Sequence, residues 1–173
     1  MTLESALVVP VPEAETVVKN LRIRHDPAAA AGAPVHITVL VPFMTPATVN
    51  EAVLAELAAI FSGLTPFDFI LSTISRFTGA VYLVPDPADR FSRLTAAIAT
   101  RWPETPPYGG IYSRITPHLT VAHTSDDDAI EEIRHTIEPI LPIACTARQA
   151  WLMVSRAEGW SLLERFPFGE TPL

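Results

Sequence analysis

His36-Ile37-Thr38-Val39 and His118-Leu119-Thr120-Val121 are two almost identical tetrapeptides set nearly half a chain apart. Each lies in a run rich in β-branched residues, 35–43 (VHITVLVPF) and 117–124 (PHLTVAHT), and such runs read as strands. Side chains alternate along a strand. His36 therefore shares a face with Thr38, and His118 with Thr120, while Ile37, Val39, Leu119 and Val121 take the opposite face. The apolar set anchors each strand to a core. The polar set belongs at a surface or cleft, because burying imidazole and hydroxyl groups without partners is costly.

Working outward, residues 6–12 are apolar and β-rich, and residues 13–22 place Ala14, Val17, Val18 and Leu21 on one helical face. Residues 25–34 hold four consecutive alanines, but Gly32 and the prolines at 27 and 34 favour a loop. Thr48 and Glu51 fit a capping box for a helix carrying Val53, Leu57, Ile60 and Phe61, with Gly63 placed to end it. Two strands follow at 67–74 and 79–84. Phe91, Leu94 and Ile98 then mark a helix that stops before Pro103. The Pro/Gly-rich segment 103–117 leads into the second motif strand. Ser125 and Asp126 to Asp128 cap a helix with Ile130, Ile133 and Ile137 inward, and strands at 145–155 and 160–168 close the chain.

Strand, helix, strand, strand thus occurs twice, once from Val35 and again from near Ile115. This order predicts an α+β fold of one domain over 1–173. It is a bilobal, pseudo-two-fold duplication in which two antiparallel sheets line a central cleft and helices cover the outer faces.

Composition narrows the function classes. With 173 residues, 49% of them hydrophobic and 18% charged, the chain has ample core material and lacks the polar bias of a disordered protein. Its net charge of −7 repels long polyanions, which argues against duplex DNA as a partner. Cys145 stands alone, so no internal disulfide or zinc-ligand pattern is implied, and a reducing cytoplasm is the expected compartment. The start of the chain lacks the pattern of an export signal, and the longest stretch without Asp, Glu, Lys or Arg, 27–50, is broken by prolines and His36. No membrane span is expected.

Two imidazoles facing each other across a cleft suit a displacement in which one proton leaves the attacking oxygen and another reaches the leaving oxygen. Phosphodiester chemistry has this requirement. A pKa near 6.5 lets one ring be neutral and the other protonated around neutral pH. Threonine hydroxyls beside them donate to non-bridging phosphate oxygens. No metal or other cofactor is needed for this scheme.

At this point the sequence resembles the 2H phosphoesterase superfamily, which includes the 2′-5′ RNA ligase-like proteins and cyclic nucleotide phosphodiesterases. The likeness runs from Leu7 to about Phe168 and rests on the paired His-x-Thr-hydrophobic motifs and the element order. It implies a bilobal α+β fold and metal-independent hydrolysis or ligation at 2′,3′-cyclic or 2′-5′ phosphodiester bonds. The catalytic histidines fall on His36 and His118, and the phosphate-contacting hydroxyls on Thr38 and Thr120. Many members carry a basic residue five positions after the second histidine, where this chain has His123. The expected substrate is a small nucleotide or an RNA end, and a monomer is expected. The alternatives are a nucleotide- or RNA-end-binding module that keeps the cleft without turnover, and an interaction domain whose polar clusters are structural.

Four further residues are candidates for substrate binding. Tyr108, Tyr112 and Arg114 lie in the loop before the second motif, where a base can stack on tyrosine and a phosphate can meet arginine. Phe43, at the exit of the first motif strand, is a weaker stacking candidate. His25, His123 and His135 read as structural or surface residues, His123 lying at odd spacing from His118 and so on the other face. Trp151, Trp160 and Phe166 read as core.

Overall fold

Ser5–Pro10 forms the first strand, β1, and its two faces already separate core from cleft. Leu7 and Val9 enter the main core, whereas Ala6 and Val8 join Met153 in a smaller cluster with Val41, Trp151 and Trp160 at its margin. The computed structural model describes residues 3–169, so the two ends of the expected 1–173 domain lie outside the described residues. The remaining elements are α1 (Glu15–His25), α2 (Pro27–Ala30), β2 (His36–Leu40), α3 (Glu51–Ser62), β3 (Phe67–Phe77), β4 (Ala80–Asp86), α4 (Asp89–Arg101), β5 (Leu119–Ala122), α5 (Asp127–Ile137), β6 (Ile143–Ala147), β7 (Gln149–Arg156) and β8 (Gly159–Pro167).

The strands form two four-stranded antiparallel sheets, in the orders β2-β1-β7-β8 and β5-β4-β3-β6. The motif strands β2 and β5 are the corresponding edges of the two sheets, and they pack against each other. The two-lobed α+β fold is therefore present, with an exchange that the linear repeat does not announce. After β2 the chain leaves its sheet and builds β3 and β4 into the other one, beside β5. The helices follow suit: α1 packs on β5 and α4 on β2. Two polar contacts pin these crossings. The Thr95 hydroxyl of α4 donates to the Val39 carbonyl at 2.7 Å, and the His123 amide donates to the His25 carbonyl at the end of α1 at 2.7 Å. Phe61, Phe91, Ile98, Ile133 and Ile137 fill one continuous core fed by both sheets.

Local readings are corrected at four places. The segment after His25 is not all loop, because Asp26 accepts from the Ala28 amide at 3.0 Å and Pro27 occupies the first turn of the short helix α2, a favoured start. The cap of α3 is Asn50, which accepts from the Val53 amide at 3.0 Å, while the Thr48 hydroxyl is spent on the Thr45 carbonyl in a preceding turn. β3 runs on to Phe77. The single strand expected at 145–155 is two strands, because the chain crosses between sheets at Arg148: β6 pairs with β3, and β7 with β1. The Arg148 carbonyl accepts from Phe168 instead of a ladder partner.

The hairpin turn between β7 and β8 is fastened to the turn after α2. The Trp160 amide donates to the Ala31 carbonyl at 2.7 Å, and Gly32 and Gly159 both adopt positive φ, 97° and 117°. A Cβ on Gly159 would collide with the Ala31 carbonyl oxygen. Gly159→Ala should therefore lower stability by about 1–3 kcal/mol, seen as a reduced urea midpoint; an unchanged midpoint would show that the two turns separate freely.

Candidate functional site

Strand alternation delivers the polar faces as anticipated: Ile37, Val39, Leu119 and Val121 are buried, and His36, Thr38, His118 and Thr120 are partly exposed. All four of the latter line one chamber, together with Tyr108, Asp26 and His123. A second, larger chamber of about 540 Å³ shares His118, Thr120, Tyr108 and His123 and adds Phe77, Tyr112 and Arg114. The two are parts of one cleft that meet at His118 and Tyr108.

Each histidine is oriented by the backbone just upstream of it. His36 Nδ1 lies 2.6 Å from the Pro34 carbonyl, and His118 Nδ1 lies 2.7 Å from the Thr116 carbonyl. A carbonyl can only accept, so Nδ1 carries the proton in each neutral ring and Nε2 is left with its lone pair. Both strands use the same device, a carbonyl two residues before the histidine.

The surroundings of the two rings differ. Burial pushes the His36 imidazole down to about 4, with Arg22 and His118 adding to the depression and the Pro34 bond and Asp26 opposing it. Arg22 and Asp26 form a buried ion pair at 2.9 Å beneath this side of the cleft. His118 is also lowered, by burial first and by His123 in addition, against the Thr116 bond. Its ring packs edgewise with Phe77 and Tyr82, at centroid distances of 5.1 and 5.3 Å, and those two rings stack on each other at 4.2 Å.

Tyr108 divides the cleft. It is a non-glycine residue at positive φ, 52°, a conformation that costs free energy and clusters at functional positions. Its amide donates to the Val41 carbonyl at 2.6 Å. Its phenol is raised above the usual tyrosine range by burial and by Tyr112, while a hydrogen bond with Thr38 opposes the shift. Tyr112 is exposed and packs edgewise on Tyr108, and Arg114 lines the larger chamber.

Phe43 takes another place. It is buried, edge-on to Trp102 at 5.3 Å, and its amide donates to the Ser5 carbonyl, so the chain beyond β2 folds back along β1 and carries this ring into the core. His123 is not on the far face of β5: the strand ends at Ala122, and the ring turns to the cleft, its Nε2 3.8 Å from Asp26 Oδ1. Trp160 is half-buried in the smaller chamber, not in the core. Trp151 is likewise half-buried, beneath the Arg165 guanidinium, while Phe166 is a core residue. Asp26, Phe77 and Tyr82 had no sequence signal as site residues, although an Asp before a helix-starting proline marks a cap, and cross-strand pairing of Ser75 with Tyr82 and Phe77 with Ala80 follows once the hairpin register is known.

Twin His-x-Thr strands on the edges of two sheets, aimed into one cleft, define a 2H phosphoesterase class of protein. The chain matches the 2′-5′ RNA ligase superfamily over residues 9–159 and belongs to that family; phosphoesterase activity in general follows from membership. The fold is shared with solved structures. E. coli LigT complexed with 3′-AMP is 17% identical, with a TM-score of 0.60 over 95% of this chain and 97% of that one. E. coli LigT complexed with NADP+ is 18% identical, with a TM-score of 0.58 over 97% and 98%. A structure described as a phosphoesterase is 16% identical, with a TM-score of 0.60 over 96% and 98%. No curated protein matches the chain. Among the described residues, no helix is long and apolar enough to cross a membrane.

The geometry makes a spectroscopic prediction. Imidazole ¹⁵N shifts should give both rings midpoints below 6.5, His36 at about 4, with Nδ1 protonated and Nε2 bare in each neutral ring. A His36 midpoint at or above 6.5 would contradict the burial that lowers it.

Proposed function

We propose that the protein is a metal-independent phosphoesterase acting on a 2′,3′-cyclic or 2′-5′ phosphodiester of a nucleotide or RNA end. The observation that carries this reading is the matched orientation of His36 and His118. Each has Nδ1 tied to a backbone carbonyl, Nε2 unspent, and a threonine hydroxyl on the same face of its strand. The nucleotides 3′-AMP and NADP+ held by E. coli LigT, which shares the fold, support a nucleotide as the ligand here.

His36, the more strongly depressed ring, is the general base. It is neutral at physiological pH and accepts the proton of the attacking oxygen at Nε2. His118 is the general acid and delivers a proton to the departing oxygen. Thr38 and Thr120 donate to the non-bridging oxygens, where negative charge grows in the transition state. Arg114 and Tyr112 meet the nucleotide in the larger chamber. The roles of the histidines reverse when the reaction runs backwards.

His36→Ala and His118→Ala should each lower kcat by about 10²- to 10⁴-fold on a 2′,3′-cyclic mononucleotide in the presence of chelator, with unchanged circular dichroism. Full activity in both variants would overturn the assignment, and nucleotide binding with no turnover in the unmodified protein would leave a binding module instead. The pH profile follows from the sign of the shifts. A base depressed to about 4 becomes competent as pH rises through that value, and an acid lowered below 6.5 is lost as pH rises through its own midpoint. The kcat/KM bell, whose limbs belong to the coupled pair, should therefore be centred on the acid side of 6.5; an optimum above 7 is incompatible with it.

A further inference from the structure

Arg22 and Asp26 are the two charged residues buried among the described residues, each 3% exposed, and the acid–base scheme uses neither. Burying an ion pair costs desolvation that its attraction often fails to repay, so such a pair is weak evidence of a role in stability alone. Arg22 lines neither chamber, and Asp26 lines only the smaller one. Being paired, they offer an anion no net charge. The guanidinium is instead spread over two partners. Nε and Nη2 both donate to Asp26 Oδ2, at 3.2 and 2.9 Å, while Asp26 Oδ1 accepts from the Ala28 amide at 3.0 Å. The remaining arm, Nη1, donates to the Ala33 carbonyl at 3.4 Å.

That last bond reaches the base through one peptide unit. Ala33 precedes Pro34, whose carbonyl accepts from His36 Nδ1. The plane that carries the Ala33 oxygen also carries the Pro34 nitrogen and Cα, and the proline ring fixes the next torsion, φ. Holding the Ala33 oxygen therefore leaves only ψ of Pro34 between it and the carbonyl that orients the ring. The segment is tied at its flanks by the backbone, Ala31 by the Trp160 amide and Val35 by the Val11 amide. Between these ties, Arg22 is the one side chain besides His36 that bonds to residues 32–34. Thr116, whose carbonyl holds His118, is exposed, and no buried charge pair stands behind it.

We propose that the Arg22–Asp26 pair is a positioning device for His36 alone: it braces the turn that carries the Pro34 carbonyl and so holds the ring with Nδ1 protonated and Nε2 facing the cleft. The inference rests on the reading of His36 as general base and deepens it. Asp26 anchors the start of the turn through Ala28, and Arg22 joins that start to its end at Ala33. Neither residue touches the reacting atoms in this arrangement.

The test follows both rings at once. Arg22→Lys keeps the charge but loses the fork, so it cannot serve Asp26 and Ala33 together. Arg22→Met combined with Asp26→Asn leaves no unpaired buried charge and keeps an oxygen for the Ala28 amide. In ¹⁵N spectra of the neutral imidazoles, both variants should move His36 from the Nδ1-protonated form to a mixture of tautomers and leave His118 as it was. On a 2′,3′-cyclic mononucleotide, kcat should fall about 10- to 100-fold, as when a remote change misplaces a reacting group. KM should stay near its original value, because neither residue lines the larger chamber. A His36 tautomer unmoved in both variants, whatever their urea midpoints, makes the pair structural support alone and overturns the inference. An equal change at both histidines, a shifted tautomer with kcat unchanged, or loss of the fold in both variants overturns it too. Absence of turnover in the unmodified protein defeats the phosphoesterase reading instead; the tautomer measurement needs no substrate and then decides the positioning by itself.

Discussion

The site depends on one short hydrogen bond made twice, from histidine Nδ1 to the carbonyl two residues before it. A strand alone gives an imidazole a face but leaves its rotation and tautomer open. The carbonyl closes both choices, because it accepts only from a protonated nitrogen, and so the opposite nitrogen is left bare. Pro34 and Thr116 lie just outside β2 and β5, where their carbonyls are free of the sheet ladder and can turn to the ring. The orientation of both rings is thus set by where each strand begins.

Bringing the two rings to one hollow is the work of the exchanged topology. Each motif strand is a sheet edge and needs cover on its apolar face, and in both cases the cover is a helix that leads to the other motif strand or away from it: α4 on β2 and α1 on β5. The lobes cannot separate without baring Ile37, Val39, Leu119 and Val121, all buried. Burial of a side chain of this size is worth about 1.5–3 kcal/mol, so the apolar partners of the two histidines also hold the histidines' strands together.

Alternation along β2 and β5 was legible because period two is a local property, and the apolar spacing of α4 and α5 was legible for the same reason. Sheet membership was not, because strand pairing joins residues far apart in sequence: nothing in residues 145–155 marks Arg148 as the crossing between sheets. His123 was misplaced by extending alternation one residue past the end of β5, where its amide bonds to His25 instead of a strand. Phe43 was misplaced because the chain after Leu40 folds back on Ser5, which only the tertiary structure sets. Trp160 reads as core from its residue type and its place in the last hairpin, although a half-buried indole can equally wall a cavity. Asp26 had a legible role as a cap and an illegible one, since its place beside His36 and His123 depends on α1 reaching across to the second lobe.

A duplicated motif supplies two chemically equal histidines, yet the proposed acid–base scheme needs them unequal at the moment of attack. The inequality lies outside the repeat. His36 sits deeper, over the Arg22–Asp26 ion pair, and the nearby guanidinium disfavours a second positive charge more than the partly offset carboxylate favours it. His118 meets the rings of Phe77 and Tyr82, which come from the β3–β4 hairpin and have no counterpart beside His36 among the aromatic pairs of the described residues. Repetition therefore accounts for the position and tautomer of the two rings, and the unrepeated residues around them account for which one is depressed further.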